Sequence, residues 1–288
     1  MPSLPDISIV TPSFRGGRWL TLCISSVADQ GVKLEHLIQD AGSDDGTLDW
    51  LTKDSRVRAF VERDQGMYDA VNRGYRRASA EIVAYLNCDE QFLPRALLRV
   101  LAYFKEHPEV EILFGDCLVV DVNGNYVCER RSLTPRLLHT WTASNLSFLT
   151  AATFVRRSVL EAKQLWFDAK YRDAGDQDWA LRVVRSGAKT AVLSEFLSAF
   201  TETGVNMNLG ENASRERQAF HAAAPAWARL LSPAALLHHR LRRWCAGHYR
   251  CEPHEYSIYT QDSPQVRKRI EVTSPTFRWK RPPAASVD

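Results

Sequence analysis

Four apolar segments alternate with four amphipathic ones over the first 105 residues, and this alternation limits the fold more than any other feature of the chain. The apolar segments, each of a length typical for a strand, cover residues 7–11, 34–39, 57–61 and 82–86. Apolar residues at helical spacing follow each of them. Because the connections are short, the pattern predicts consecutive βαβ units and an α/β fold with a mainly parallel central sheet.

Each predicted strand ends in a polar cluster, at residues 11–15, 40–45, 62–65 and 87–90. The carboxyl ends of strands in an open α/β sheet share one edge, so we expect the clusters to converge on one ligand-binding crevice. Asp89 and Glu90 offer the hard oxygen atoms that Mg²⁺ or Mn²⁺ prefers, and Arg63 and Arg73 suit a diphosphate. A solvated loop explains any single cluster, but it explains four together less well.

Two common phosphate-binding motifs do not occur in the sequence. The first predicted strand is not followed by GxGxxG, and GxxxxGK[ST] is not found anywhere. Neither Rossmann-type nor P-loop phosphate binding is therefore indicated.

The second half of the chain is less regular. A strand at 111–114 precedes a predicted hairpin at 117–130, whose turn contains Asn123 and Gly124. Further along, Asp176 and Asp178 fall at the start of a predicted helix, where the helix dipole stabilises ionised carboxylates. A further strand is predicted at 190–200.

The net charge of +3 hides an asymmetry between a mildly acidic part, residues 1–210, and a basic extension, residues 211–288. We expect these to be two units, the second made of helices, a terminal hairpin and a disordered end from Pro275. The amino terminus resembles no signal peptide, and the longest apolar run is too short for a membrane span. We therefore expect a cytoplasmic protein, and the extension is the candidate region for association with the inner face of a membrane.

The extension from 211 to 248 has helical composition, interrupted at Pro225 and Pro233. Its leucines and arginines suit an anionic membrane surface, packing on the first unit, or pairing of two subunits into a homo-oligomer. Two thiols and two imidazoles follow at a spacing of three, which is a zinc ligand set by residue type but awkward in helical geometry. The four candidate zinc ligands are Cys245, His248, Cys251 and His254.

Five motifs together resemble the family-two glycosyltransferases with a GT-A fold, particularly the bacterial members that build exopolysaccharide, capsule or O-antigen. The motifs are ISIVTPSF at 7–14, QDAGSDDGT at 39–47, ERDQGMYDAVNRG at 62–74, YLNCDE at 85–90 and AGDQDWALR at 174–182. Their order and spacing fit the family across about residues 5–205. Each motif alone would be weak evidence.

The resemblance implies a single nucleotide-binding, Rossmann-like domain that transfers a sugar with inversion from a nucleotide-sugar to an acceptor hydroxyl, using Mn²⁺ or Mg²⁺. The acceptor would be a saccharide or a lipid-linked saccharide, and no nucleic-acid partner is expected. Asp176 matches the general base, and Asp89 matches the metal ligand. Residues matched to the nucleotide-sugar site are Thr11, Pro12, Ser13, Asp40 (on the base), Arg63, Asn72, Arg73, Asn87 and Cys88.

The sequence departs from the family pattern at the metal motif and before the general base. Asn87 replaces the first Asp of the Asp-x-Asp motif, and Glu90 stands where Asp is often found. Gly175 replaces a Glu before the base, which leaves Asp178 as the nearest competitor of Asp176. A sugar nucleotidyltransferase and a non-catalytic nucleotide-sugar-binding module are the alternative functions.

Overall fold

The computed structural model describes residues 4–142, 146–204 and 210–279. The first part alternates strands and helices as the sequence predicts. These elements are β1 (Ile7–Ser13), α1 (Gly17–Ala28), β2 (Leu34–Asp40), α2 (Thr47–Leu51), β3 (Arg58–Val61), α3 (Met67–Arg77), β4 (Ile82–Tyr85), β5 (Gln91–Phe92) and α4 (Ala96–Glu106).

The middle of the chain contributes longer strands and the helix that carries the two candidate acids. These elements are β6 (Ile112–Asp121), β7 (Tyr126–Arg130), α5 (Leu137–Thr142), a 3₁₀ helix (Thr150–Ala152), β8 (Thr153–Arg156), α6 (Arg157–Ala162), α7 (Gly175–Arg185) and β9 (Thr190–Glu202). The remaining elements are α8 (Glu211–Ala223), α9 (Ala226–Leu230), α10 (Ser232–Cys245), β10 (His254–Thr260) and β11 (Ser263–Val272).

One large sheet joins the strands in the order β3-β2-β1-β4-β8-β6-β9-β5, with β7 paired to β6. The first four strands are mutually parallel, as predicted. Beyond β4 the sheet is mixed, since β8 runs antiparallel to both β4 and β6 whereas β6 and β9 are parallel. The parallel half brings the carboxyl ends of β1 to β4 to one edge.

Hydrophobic clusters cover both faces of the sheet. One forms under α1 and α4 and includes the fully buried Phe92 and Phe154. The other forms under α3 and α7 around Trp179. Gly74 allows α3 to close on β1, because a Cβ at this position would overlap the side chain of Val10.

The extension contains helices and a hairpin, as predicted; the helices are three, and the hairpin packs on the main sheet. Arg267 donates hydrogen bonds to Asp29 on the carboxyl side of α1 and to the carbonyl oxygen of Phe92. The sequence predicts disorder from Pro275, yet the hydroxyl of Tyr126 donates to the carbonyl oxygen of Thr276 at 3.0 Å. Residues 280–288, the rest of that predicted disordered end, lie outside the described residues.

The predicted zinc site is not formed. Cys245 is exposed at the end of α10. His254 lies on β10 and stacks against Phe196, with 5.4 Å between the ring centroids. Within the described ranges, groups of three or more His, Cys, Asp or Glu side chains that could hold a metal do not occur. The candidate ligands extend from the end of α10 to the start of β10, and their spacing along the sequence does not become proximity in space.

Candidate active site

A cleft of about 920 Å³ opens where β1 to β4 end. Loops after all four strands line it, and the amino terminus of α7 closes one side. Asp89 and Asp176 both face this cleft, although they are far apart in the sequence. The predicted convergence of polar strand ends is therefore observed in the structure.

The turn after β4 presents Asp89 to the cleft. Both carboxylate oxygens of the buried Glu90 accept hydrogen bonds from Asn87, one from its backbone N–H at 2.9 Å and one from its side-chain amide at 3.2 Å. Burial raises the pKa of both acids, and the adjacent Asp89 raises the pKa of Glu90 further. Glu90, which the sequence offers as an oxygen ligand beside Asp89, thus holds the conformation of the turn through these two bonds.

The donor set around Asp89 suits a metal held by few protein ligands. Asn87, Asp89 and Glu90 all line the cleft, and Asn87 and Glu90 are hydrogen-bonded to each other. Burial opposes the negative charge of Asp89, so a bound cation would stabilise its ionised form. A Mg²⁺-like ion with one carboxylate ligand takes its remaining ligands from substrate phosphates and water. The residues fit such an ion.

Asp176 lies in the first turn of α7, at the cleft. Its oxygen Oδ1 accepts a hydrogen bond from the backbone N–H of Gln177 at 2.9 Å, and its own backbone N–H donates to the hydroxyl of Tyr68 at 3.1 Å. Burial raises the pKa of Asp176 to about 6. A carboxylate with that pKa is ionised at neutral pH and is a stronger base than a solvated one.

The contacts of Asp178 indicate a different role from that of Asp176. Its carboxylate accepts a hydrogen bond from Arg182 one turn later in α7, at 2.7 Å. Asp178 is not among the side chains that line the cleft, whereas Asp176 is. The geometry therefore favours Asp176 over its competitor as a group that can reach a substrate.

Asp40 lies beneath the cleft and supports the loop that lines it. The side chain is fully buried and accepts four hydrogen bonds, from the backbone N–H groups of Gly42 and Ser43 and from the hydroxyls of Ser13 and Ser43. Ala41 and Gly42 face the cleft in its place. In this arrangement Asp40 shapes the floor of the predicted nucleotide site.

The other predicted nucleotide-sugar residues divide into two groups. Pro12, Ser13, Arg63, Asn87 and Cys88 line the cleft. The structure does not bring Thr11, Asn72 and Arg73 into the cleft. The hydroxyl of Thr11 is hydrogen-bonded to His36 at 2.9 Å, and the side chain of Asn72 to the backbone of Phe167 at 2.7 and 2.9 Å. Arg73 forms an ion pair with Asp69 at 2.8 Å.

Several residues at the cleft escaped the sequence analysis. Tyr68 and Asp64 could have been found from their place in the motif at 62–74, where Asp64 caps the turn by accepting the N–H of Gly66 at 2.9 Å. Trp279 also lines the cleft, and its ring centroid lies 5.6 Å from that of Phe200. No local signal identifies Trp279, because only the folding of the extension brings it there.

Glu216 on α8 is a further residue that local sequence does not reveal. Its carboxylate accepts the backbone N–H groups of Arg172, Asp173 and Ala174, at 2.9, 3.0 and 2.7 Å. Burial alone would raise the pKa of Glu216, but these hydrogen bonds hold the pKa below its usual range. The extension thereby holds the loop that leads into Asp176.

Comparison with known proteins identifies the chain as a glycosyltransferase with a fold of the GT-A type. A profile of Glycosyl transferase family 2 matches residues 8–162. The chain belongs to this family, and the predicted fold class and enzyme class are confirmed.

Two relatives are similar over parts of the chain. The PGL/p-HBAD biosynthesis glycosyltransferase of Mycobacterium tuberculosis is 26% identical over 212 residues, which covers 69% of this chain and 78% of the relative. The GalNAc(5)-diNAcBac-PP-undecaprenol beta-1,3-glucosyltransferase of Campylobacter jejuni is 30% identical over 129 residues, covering 42% and 41%.

Solved structures support the fold at low sequence identity. S. aureus TarS superposes with a TM-score of 0.58 and 18% identity over 83% of this chain and 43% of the TarS chain. The TarS fragment 1–349 in complex with UDP-GlcNAc gives the same score and identity over 83% of this chain and 73% of the fragment. The mannosyltransferase PcManGT of Pyrobaculum calidifontis, in complex with GDP-Man and Mn²⁺, gives 0.53 and 17% over 86% of this chain and 80% of its own.

Proposed function

We propose that this glycosyltransferase moves a sugar with inversion from a nucleotide-sugar to a hydroxyl of a saccharide or lipid-linked saccharide, in the synthesis of a surface polysaccharide. The observation that carries the proposal is the presence of Asp89 and Asp176 in one cleft. Asp89 comes from the sheet edge and Asp176 from a helix of the second half. This separation suits one acid for the leaving group and one for the acceptor.

In the proposed reaction, Asp176 takes the proton of the acceptor hydroxyl as its oxygen attacks the anomeric carbon. The bond from that carbon to the diphosphate breaks, and the nucleoside diphosphate leaves with the electron pair. Oδ1 of Asp176 is bonded to Gln177, so Oδ2 is the atom we assign to receive the proton. Attack from the face opposite the leaving group inverts the anomeric centre.

On the donor side, Asp89 would hold Mn²⁺ or Mg²⁺, and such an ion would neutralise charge that develops on the diphosphate. Arg63 at the cleft adds a cation that suits the same phosphates. Pro12, Ser13, Asn87 and Cys88 would surround the nucleotide and sugar. The loop supported by Asp40 is proposed to receive the base, with Thr11, Asn72 and Arg73 stabilising the surrounding backbone.

Names of the similar proteins support the substrate classes. TarS has been solved in complex with UDP-GlcNAc and PcManGT in complex with GDP-Man and Mn²⁺, which supports a nucleotide-sugar and a divalent metal for this protein. The Campylobacter relative is named for an undecaprenol-linked acceptor. We therefore propose a cytoplasmic reaction at the inner face of a membrane, carried out by residues 1–210 with support from 211–288.

A panel of UDP-, GDP- and dTDP-sugars tests this function. Binding of each donor would be measured by calorimetry with Mn²⁺, with Mg²⁺ and with a chelator, and turnover by release of the nucleoside diphosphate. We expect one donor to bind more tightly with metal and to be turned over when an acceptor is added. Release of pyrophosphate from a nucleoside triphosphate and sugar phosphate would instead identify a nucleotidyltransferase, and binding without turnover would identify a binding module.

A further inference from the structure

Helix α10 has its apolar side facing away from the protein. Leu237, Leu241 and Trp244 recur at the spacing of one helix face, and their exposed fractions are 60, 51 and 69%. On the side that faces the protein, Arg242 donates hydrogen bonds to the backbone and side-chain oxygens of Thr134, both at 3.0 Å. A surface helix ordinarily has the opposite arrangement, with its apolar stripe toward the core.

Further exposed apolar side chains lie on α9 and in the turn that joins it to α10. Trp227 and Leu230 there are 52% and 81% exposed. We call the whole surface the outward patch. Its members, all large, apolar and exposed, are Trp227, Leu230, Leu231, Leu236, Leu237, Leu241 and Trp244.

Exposed arginines lie beside the outward patch. From residue 217 to residue 251 the sequence contains six arginines and not one Asp or Glu. Arg229 and Arg240 are exposed beside the patch. Leucine and tryptophan on one face with arginine at the margins is the composition of a helix that lies in a membrane interface.

We infer that the outward patch binds the surface of an anionic lipid bilayer. The leucines and tryptophans would enter the boundary between headgroups and acyl chains, and Arg229 and Arg240 would contact lipid phosphates. In the described stretches, every helix falls short of the length and apolar content of a membrane span. The inferred mode is therefore attachment in the plane of the interface.

Charge favours a bilayer over a second copy of the chain as the occupant. Two outward patches placed face to face would bring together two sets of arginines without a carboxylate from residues 217–251 to balance them. An anionic surface supplies the opposite charge. The apolar residues and the arginines are then both accommodated by one partner.

The position of α10 relates this surface to the cleft. His239 and Arg243, on the protein-facing side of α10, line a small cavity together with Leu149. Leu149 also lines the active-site cleft. Docking of α10 on a bilayer would thus hold the cleft close to the lipid surface, which suits a lipid-linked acceptor; this last step rests on the proposed function.

Vesicle co-sedimentation tests the membrane inference. The full chain would be mixed with vesicles of phosphatidylcholine alone or with added phosphatidylglycerol, with no donor or acceptor present. We expect sedimentation with phosphatidylglycerol vesicles that weakens at high salt. The double variant Arg229→Gln, Arg240→Gln should bind about 30-fold less tightly, from two lost arginine contacts. The triple variant Leu237→Ser, Leu241→Ser, Trp244→Ser should lose at least about tenfold.

A matched control is Leu98→Ser, which removes an exposed leucine from the unrelated helix α4 and should bind as the wild type does. Circular dichroism would establish that each variant is folded. Failure of the wild type to sediment, or wild-type binding by the triple variant, would overturn the inference. So would a wild-type dimer that the triple variant converts to monomer without any vesicle binding. Since the assay contains no sugar substrate, its outcome is independent of the proposed reaction.

Discussion

The backbone N–H of Asp176 donates a hydrogen bond to the hydroxyl oxygen of Tyr68, 3.1 Å away and 108 positions earlier in the chain. Tyr68 lies in the first turn of α3, and Asp176 lies in the first turn of α7. Gly175 makes this approach possible, because a Cβ there would lie 2.6 Å from Cε2 of the tyrosine ring. The packing of Tyr68 thus explains why Gly175, and not an acidic residue, precedes the proposed base Asp176.

Replacing Asp176 with Asn should abolish proton transfer while leaving donor binding intact. We expect kcat to fall by about 10²- to 10⁴-fold, the usual contribution of a positioned general base. Turnover would be followed by nucleoside diphosphate release, and donor affinity by calorimetry. The control is Asp178→Asn on the same helix turn, whose partner is Arg182. Equal activity of Asp176→Asn and the wild type would exclude Asp176 as the base.

Tyr68→Phe should show that Tyr68 positions the base. The ring would keep its stacking on Phe167, at 5.1 Å between centroids, while the Asp176 N–H would lose its acceptor. We expect a loss of about 1 kcal/mol in unfolding free energy and, from misplacement of the base, about a fivefold lower kcat with little change in donor KM. Tyr75→Phe, at another buried tyrosine of α3, is the control. A change in donor KM alone would argue against a positioning role.

Asp89→Asn should remove metal-dependent activity. The variant loses the charged oxygen ligand, so we expect turnover that Mn²⁺ no longer stimulates. Glu90→Ala should instead raise the half-saturating Mn²⁺ concentration by about 10- to 100-fold, because Asn87 loses both its hydrogen bonds to Glu90. Activity titrated with Mn²⁺ measures both effects, with the exposed Glu109→Gln as the control. Unaltered Mn²⁺ titration of Asp89→Asn would place the metal elsewhere.

Glu216→Ala should weaken the loop that leads to the base, although Glu216 lies in the extension. Three backbone N–H groups lose a charged acceptor, which we expect to lower the unfolding free energy by about 1–3 kcal/mol. kcat should fall more than donor affinity, since the loop precedes Asp176. Glu211→Ala, at an exposed position of the same helix, should leave both quantities near wild type. The reverse ranking of the two variants would refute this role.

Asp116 should make the protein less stable as pH rises from about 4 to about 7. Burial raises its pKa to about 7, so the folded state binds a proton that the unfolded state has released in this range. Asp116→Asn keeps an oxygen that can accept the N–H of Ser132, 2.7 Å away in the wild type, and removes the titration. Chemical denaturation at pH 5 and pH 7 should show a smaller drop in unfolding free energy for the variant. An unchanged drop would contradict the assignment.

Sequence patterns predicted the fold and the place of the site correctly where the signal is local. The apolar period predicted that the first strands run parallel, and the polar strand ends predicted that the regions around Pro12, Asp64 and Asp89 would meet. The same patterns predicted zinc from four regularly spaced ligands, and the structure separates them. Regular spacing along a chain guarantees proximity only inside one continuous helix or turn, and the chain leaves α10 before those residues end.

The sequence by itself determined the fold class, the family and the sheet edge at which the site forms. These signals are local, because strand and helix periods and the polar residues at strand ends involve residues that are close together in the sequence. Only the tertiary structure decided that Tyr68 and Glu216 bond to the backbone at and before Asp176, the proposed base, that Glu90 accepts hydrogen bonds within the turn of Asp89, and that Asp40 lies under the cleft. It also decided which side of α10 faces outward. These relationships depend on packing between distant segments, and no local pattern encodes which partner a side chain meets.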